Sequence, residues 1–157
     1  VGFRVLKTLS PKPFAISHAA TRNYQPSMRA RGRPDNMHHF KDELEQADPA
    51  HQFAGKIVVL TSAMTFSAAE DFAVAFDGMK RGILMGEATG GSTGQPLILS
   101  LPGGGRARIC TKQDTYPDGK AFVGVGVQPH IVVHPTVADF RANRDTVLEA
   151  AITEVNK

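Results

Sequence analysis

The stretch from Lys56 to Glu87 constrains the fold more than any other part of the chain. "KIVVLTS" (56–62) is a continuous apolar run of strand length, suited to a buried strand of a parallel sheet. From Ser67 to about Met79 the residues Ala69, Phe72, Phe76 and Met79 recur at helical spacing, which predicts a helix with one apolar face. "GILMGE" (82–87) reads as a second buried strand. Strand, helix and strand in about thirty residues make a βαβ unit, because parallel neighbours need a crossover, and that crossover is right-handed. The expected class is α/β.

A chain of 157 residues with 41% hydrophobic residues is about one domain, with enough apolar mass for a core and too much for a disordered chain. No apolar run approaches a membrane span. The chain starts at Val1 with no charged-then-apolar leader, so it reads as processed or excised, and its targeting is not legible. The net charge of +3 is mild. Arg29, Arg31 and Arg33 crowd together without interleaved aromatics or a known motif, so they read as a solvated loop and nucleic acid is not an expected partner. Cys110 stands alone, which excludes an intrachain disulfide; within the alternating "RARICTK" it is expected to be a buried strand cysteine.

Outside the βαβ unit the pattern is uneven. "VGFRVLKTL" is read as a strand and "HHFKDELEQ" as a short helix, with a long Pro-, Arg- and Ser-rich stretch between them. Such a stretch is unusual inside a domain and suggests a segment that covers a site or packs on something beyond this chain. After residue 87, "ATGGSTGQP" is a Gly-rich loop, and "LILSL", "PGGG" and "RARICT" form a β-hairpin pattern. "YPDGK" is a turn, with Asp118 and Gly119 as turn formers. "VGVGVQPHIVV" leads to a final strand, and "RDTVLEAAITEV" is an amphipathic helix capped by Asp145.

Ser67 admits two readings. With Glu70 it forms an S-x-x-E capping box, which satisfies orphan N–H groups at a helix start. Yet a serine that opens a helix right after a parallel strand sits at the carboxyl end of the sheet, where α/β sites form. There the Ala68 N–H and the positive helix end face an attacked carbonyl oxygen. No glycine stands two residues before or after Ser67, so this is not a G-x-S-x-G elbow, and spacing permits catalysis without showing it. Glu87, which ends a strand before the Gly-rich loop, reads as an acid that fixes that loop. "GGSTGQ" lacks the G-K-[ST] ending of a phosphate cradle. His38 and His39 point apart in regular structure, and the "HIVVH" pair lacks a third ligand, so no metal or other cofactor is expected.

Three motifs in order, "GKIVVLTSAMTFSAAEDFA", "GEATGGSTGQ" and "TYPDGKAFVGVGVQPHIVV", resemble the catalytic core of the C-terminal processing (tail-specific) serine proteases, a family that includes tricorn core proteases and retinoid-binding repeats. The resemblance covers roughly residues 52–155. It implies a ClpP/crotonase-like spiral fold, hydrolysis of peptide or protein substrates through an acyl-enzyme, Ser67 as nucleophile and the Ala68 N–H as oxyanion donor. It also suggests secretion or the periplasm, and a homo-oligomer is possible for such a core. The departures are specific. Where the Ser/Lys branch places its lysine this chain has Ser92, with Gln95 near the orienting position, and no lysine lies between Lys80 and Lys112. "TFSAAE" and "GEATGG" lean toward the tricorn-like branch, which takes its histidine from an earlier segment, yet Val123 stands where a glutamate is sought. His130 replaces the aspartate of the family's "G-x-x-P-D" ending. The resulting expectation is the C-terminal part of a catalytic core in residues 52–157, inactive alone. Residues 1–51 are then a basic segment that completes the core or covers the site. Two rivals are a non-catalytic ligand- or peptide-binding domain on the same scaffold and a crotonase-type acyl-CoA enzyme.

Overall fold

The computed structural model describes residues 2–23, 25–33, 36–42 and 44–157. Val1 of the expected first strand and Glu43 of the expected short helix lie outside the described residues. In chain order the elements are α1 (Gly2–Leu9), β1 (Phe14–Ala15), β2 (His18–Asn23), α2 (Pro26–Ala30), β3 (Asn36–His39) and β4 (Leu44–Glu45). Then come β5 (Val58–Thr61), α3 (Ala68–Met79), β6 (Ile83–Gly86), β7 (Pro96–Ser100), β8 (Arg106–Cys110) and β9 (Lys112–Thr115). The chain closes with β10 (Ile131–Val132), α4 (Val137–Arg141) and α5 (Thr146–Val155).

The expected β5–α3–β6 unit is present. β6 lies between β10 and β5, and both pairings are parallel. β6 is buried as expected, with Leu84 and Met85 almost without exposure. β5 is not, because it is the outer strand of this three-stranded sheet and Leu60 is 40% exposed. On α3 the buried face is Ala73, Val74, Ala75 and Phe76, with Phe72 and Met79 partly buried against the core, while Ala69 is exposed. Phe76 and Phe122 have no exposed surface. Each contributes roughly 1.5–3 kcal/mol of burial free energy.

The first fifty residues differ from the sequence reading. Gly2–Leu9 is a helix and not a strand. Phe3, Leu6 and Leu9 recur every three residues and turn one face onto the core, where Leu6 is fully buried and α1 meets α3. "HHFKDELEQ" is not a helix either: His38 and His39 end β3, and Leu44–Glu45 is β4. The reason is long-range pairing. β2 is the central strand of an antiparallel sheet with β3 on one side and β9 on the other, so the stretch between α1 and β5 is stitched to residues 112–115. Phe14 enters the same core.

The β7–β8 hairpin, the turn at 116–120 and α5 capped by the Asp145 carboxylate on the Leu148 N–H all form as the sequence predicts. Cys110 is exposed and not buried, because the hairpin is a two-stranded ribbon whose Leu97, Ile98 and Ile109 are themselves exposed. No helix among the described residues is long and apolar enough to cross a membrane.

Candidate functional site

Ser67 lies between the end of β5 and the start of α3. After Thr61 the chain makes a tight turn: the Thr65 N–H donates to the Ser62 carbonyl at 2.8 Å, and the Met64 N–H to Ser62 Oγ at 3.2 Å. This turn delivers Ser67 to the N-cap of α3 with φ 58° and ψ −129°. A non-glycine residue in that region is strained by roughly 1–3 kcal/mol and persists only where its surroundings over-determine it. Three contacts do so. The Ser67 N–H donates to the Ser92 carbonyl at 2.8 Å, the Ser67 carbonyl accepts from the Glu70 N–H at 2.8 Å, and the Ser67 N–H also reaches Glu70 Oε2 at 3.3 Å. The reciprocal capping box of Ser67 and Glu70 is present.

The Ala68 N–H, first of the helix, has no hydrogen-bond partner among the described residues. The Ser67 N–H is committed to the Gly-rich loop, so of the two donors beside Ser67 Oγ only that of Ala68 is available to a developing oxyanion. The helix start adds its positive end to the same place.

Beneath Ser67 sits Glu70, with 0% exposure. Its Oε1 accepts from Thr89 Oγ1 at 2.5 Å and from the Gly91 N–H at 2.7 Å, and its Oε2 from the Ser92 N–H at 2.9 Å. Thr89 Oγ1 in turn accepts from the Val127 N–H at 2.7 Å. The first two sequence motifs thus meet on one carboxylate, and Thr89 Oγ1 ties the third to it. The S-x-x-E spacing marks Glu70 as the acid of the cap, but the donors at 89–92 are not visible from it. Close backbone approach completes the arrangement. Gly126 has φ +81°, and a Cβ there would stand 2.2 Å from the Thr89 carbonyl oxygen, so only glycine fits.

The other candidate residues fall around this centre. Ser92 is exposed, and its N–H and carbonyl both serve the clamp on Glu70 and Ser67. Gln95 is exposed with φ 47°, its carbonyl accepts from Thr111 Oγ1, and it makes no hydrogen bond to Ser67 or Ser92. Glu87 follows β6: its N–H donates to the Thr61 carbonyl, its carbonyl accepts from Thr61 Oγ1, and its carboxylate meets His134 Nδ1 at 2.9 Å. No described histidine or lysine makes a hydrogen bond to Ser67. His18 lies between Asp42 and His39, His51 pairs with Asp48, and His130 Nδ1 accepts from the Leu84 N–H while its Nε2 faces Asp77 at 3.2 Å. The His130 side chain therefore joins β6 to α3. No group of three or more metal-ligating side chains gathers among the described residues.

A scan against family models matches residues 12–133 to peptidase family S41. The chain belongs to peptidase family S41. Against solved structures this S41 chain superposes on a putative peptidase from Parabacteroides merdae with TM-score 0.78 and 20% identity, over 98% of this chain and 46% of that one. Mature CPAF complexed with lactacystin gives 0.75 and 15%, over 98% and 40%, and the photosystem II D1 C-terminal processing protease 0.58 and 20%, over 84% and 30%. These likenesses show a shared mixed α/β fold with a parallel sheet and helices. The chain spans less than half the length of each of these structures. Comparison with curated proteins gives no match.

Two further features of the S41 chain bear on its electrostatics. A cavity of about 710 Å³ lies at the far end of α3, lined by Asp77, Lys80 and Arg81 with Phe14 and Tyr116. It is roughly a helix length of 18 Å from Ser67, at 1.5 Å per residue, so volume does not mark the candidate serine here. Nearer the site, Asp71 accepts from Ser17 Oγ at 2.9 Å; burial pushes its carboxyl up, which outweighs that bond, and Asp114 nearby acts in the same direction.

Proposed function

We propose that this chain carries the nucleophile of a serine peptidase of the C-terminal processing type, with Ser67 attacking the carbonyl of a peptide bond. The observation that carries this reading is Ser67 itself: a strained helix-start residue beside an unpartnered Ala68 N–H. Attack by Oγ forms the C–O bond and transfers the serine proton to a general base. The tetrahedral oxyanion takes the Ala68 N–H and the helix start. Collapse expels the amine, which leaves with a proton, and water then hydrolyses the acyl-serine.

The scaffold is proposed to be the spiral core that such peptidases share with ClpP and crotonase relatives. Residues 1–51 serve it as the segment that completes its core, and 52–157 as its C-terminal part. The base is proposed to come from outside these 157 residues, since no described histidine or lysine makes a hydrogen bond to Ser67. Ser92 and Gln95 are proposed as scaffolding of the loop opposite the nucleophile, and Glu87 as its anchor to Thr61. Exposed Met64 and Phe66 offer an apolar surface next to Ser67 for a substrate side chain.

The test is cleavage by the full-length protein of a library of unstructured peptides, read by mass spectrometry, with Ser67→Ala alongside. Cleavage lost in the variant supports the reading. Full folding with no cleavage, and an apolar ligand or peptide bound equally by both proteins, gives the binding-domain reading in its place.

A further inference from the structure

We propose that Glu70 is the positioning residue of this site: its carboxylate fixes Ser67 by gripping, from below, both the Gly-rich loop and the helix start. The inference rests on the peptidase reading of Ser67. A capping acid needs one bond, to the N-cap N–H, and that is the longest Glu70 makes, at 3.3 Å. Its three shorter bonds all go to residues 19–22 positions onward, to Thr89 Oγ1, the Gly91 N–H and the Ser92 N–H. A fully buried carboxylate is costly unless donors surround it. Here the donors are hydroxyl and backbone groups, and no ion pair reaches Glu70 among the described residues.

The consequence for Ser67 is a closed circuit. Glu70 holds the Ser92 N–H, the next atoms of the same residue hold the Ser67 N–H through the Ser92 carbonyl at 2.8 Å, and Ser67 N–H also touches Glu70. Rotating Ser67 out of φ 58° breaks the circuit at two points. The Ala68 N–H takes no part in this circuit and has no partner among the described residues. Thr89 extends the grip to the Val127 N–H, and the Gly124 N–H donates to the Gly91 carbonyl at 2.7 Å, so the third motif is drawn under the loop as well.

Glu70→Gln keeps the shape but places an NH₂ against donors, so at least one bond becomes a donor–donor contact. The experiment compares wild type and Glu70→Gln in the full-length protein by two readouts. One is the rate and stoichiometry of Ser67 labelling by a fluorophosphonate; the other is amide hydrogen exchange across 89–92. The expected result is labelling about 100-fold slower, the scale of a small misplacement of a reacting group, still reaching one adduct per chain. KM for a cleaved peptide stays within a factor of about two, and exchange at 89–92 accelerates while α3 and β6 keep their protection. A merely structural role gives a different pattern, with fewer molecules labelled at the wild-type rate. That pattern, or labelling within about threefold of wild type, overturns the proposal. Absence of labelling in wild type brings down the peptidase reading and the positioning role together. Unchanged exchange with wild type labelled brings down the Glu70 network alone.

Discussion

Thr89→Val isolates the junction on which the three motifs depend. Valine matches threonine in shape, so the change removes a hydroxyl and little else. Thr89 is 5% exposed, and its Oγ1 has two partners: it donates to Glu70 at 2.5 Å and accepts from the Val127 N–H at 2.7 Å. Losing a hydrogen bond to a charged group costs about 1.5–3 kcal/mol. Val127 is 1% exposed, so its N–H is left buried without that partner. That adds about 1–3 kcal/mol. The extra apolar methyl returns about 0.8 kcal/mol. The net expectation is a loss of about 2–5 kcal/mol, a large share of the roughly 5–15 kcal/mol that holds a domain folded. Equilibrium urea unfolding of the full-length protein measures it, with Thr89→Ser as control. Serine keeps both bonds and loses only one methyl, about 1 kcal/mol. If Thr89→Val falls within about 1 kcal/mol of wild type, or Thr89→Ser is equally damaging, the hydroxyl is not the junction and the reasoning fails.

Three further outcomes can be checked. Ser67→Gly relieves a positive φ that serine bears at a cost, so the variant is expected to be about 1 kcal/mol more stable by urea unfolding while taking up no serine-directed probe. His130→Ala removes the acceptor of the buried Leu84 N–H. It is expected to cost about 1–3 kcal/mol, seen as a lower thermal midpoint. Asp139 responds to acid: hydrogen bonds from Thr136, with the Arg144 guanidinium, hold its carboxyl well below the ordinary 3.8. Its contribution is thus fully present above pH 3.8 and is lost as pH falls toward the folded-state value, so Asp139→Asn is expected to flatten the acid limb of a stability–pH curve.

The parts of the fold legible in the sequence are those whose signals are local. β5, α3 and β6 announce themselves by apolar runs, spacing and length, and α5 by Asp145 at its cap. Within residues 1–51 the expected first strand and short helix give way to other elements because the structure there is set by distant partners. The helix Gly2–Leu9 is short, and its Val, Phe and Leu content suits a strand equally well until α3 supplies a face to bury them on. Asn36–His39 has no strand pattern of its own and is held by pairing to β2, which is itself paired to β9. The site divides in the same way. Ser67 and Ala68 are placed by the strand-to-helix step that the sequence displays. The role of Glu70 depends on where Thr89, Gly91 and Ser92 arrive, and one-dimensional spacing carries no record of that.

The most direct measurement of the central claim is intact-mass analysis of the full-length protein after reaction with a fluorophosphonate, with Ser67→Ala treated in parallel. The account predicts one covalent adduct per chain in wild type and none in the variant. No adduct in folded wild type, or an adduct that survives Ser67→Ala, contradicts it and leaves Ser67 as the strained N-cap of α3.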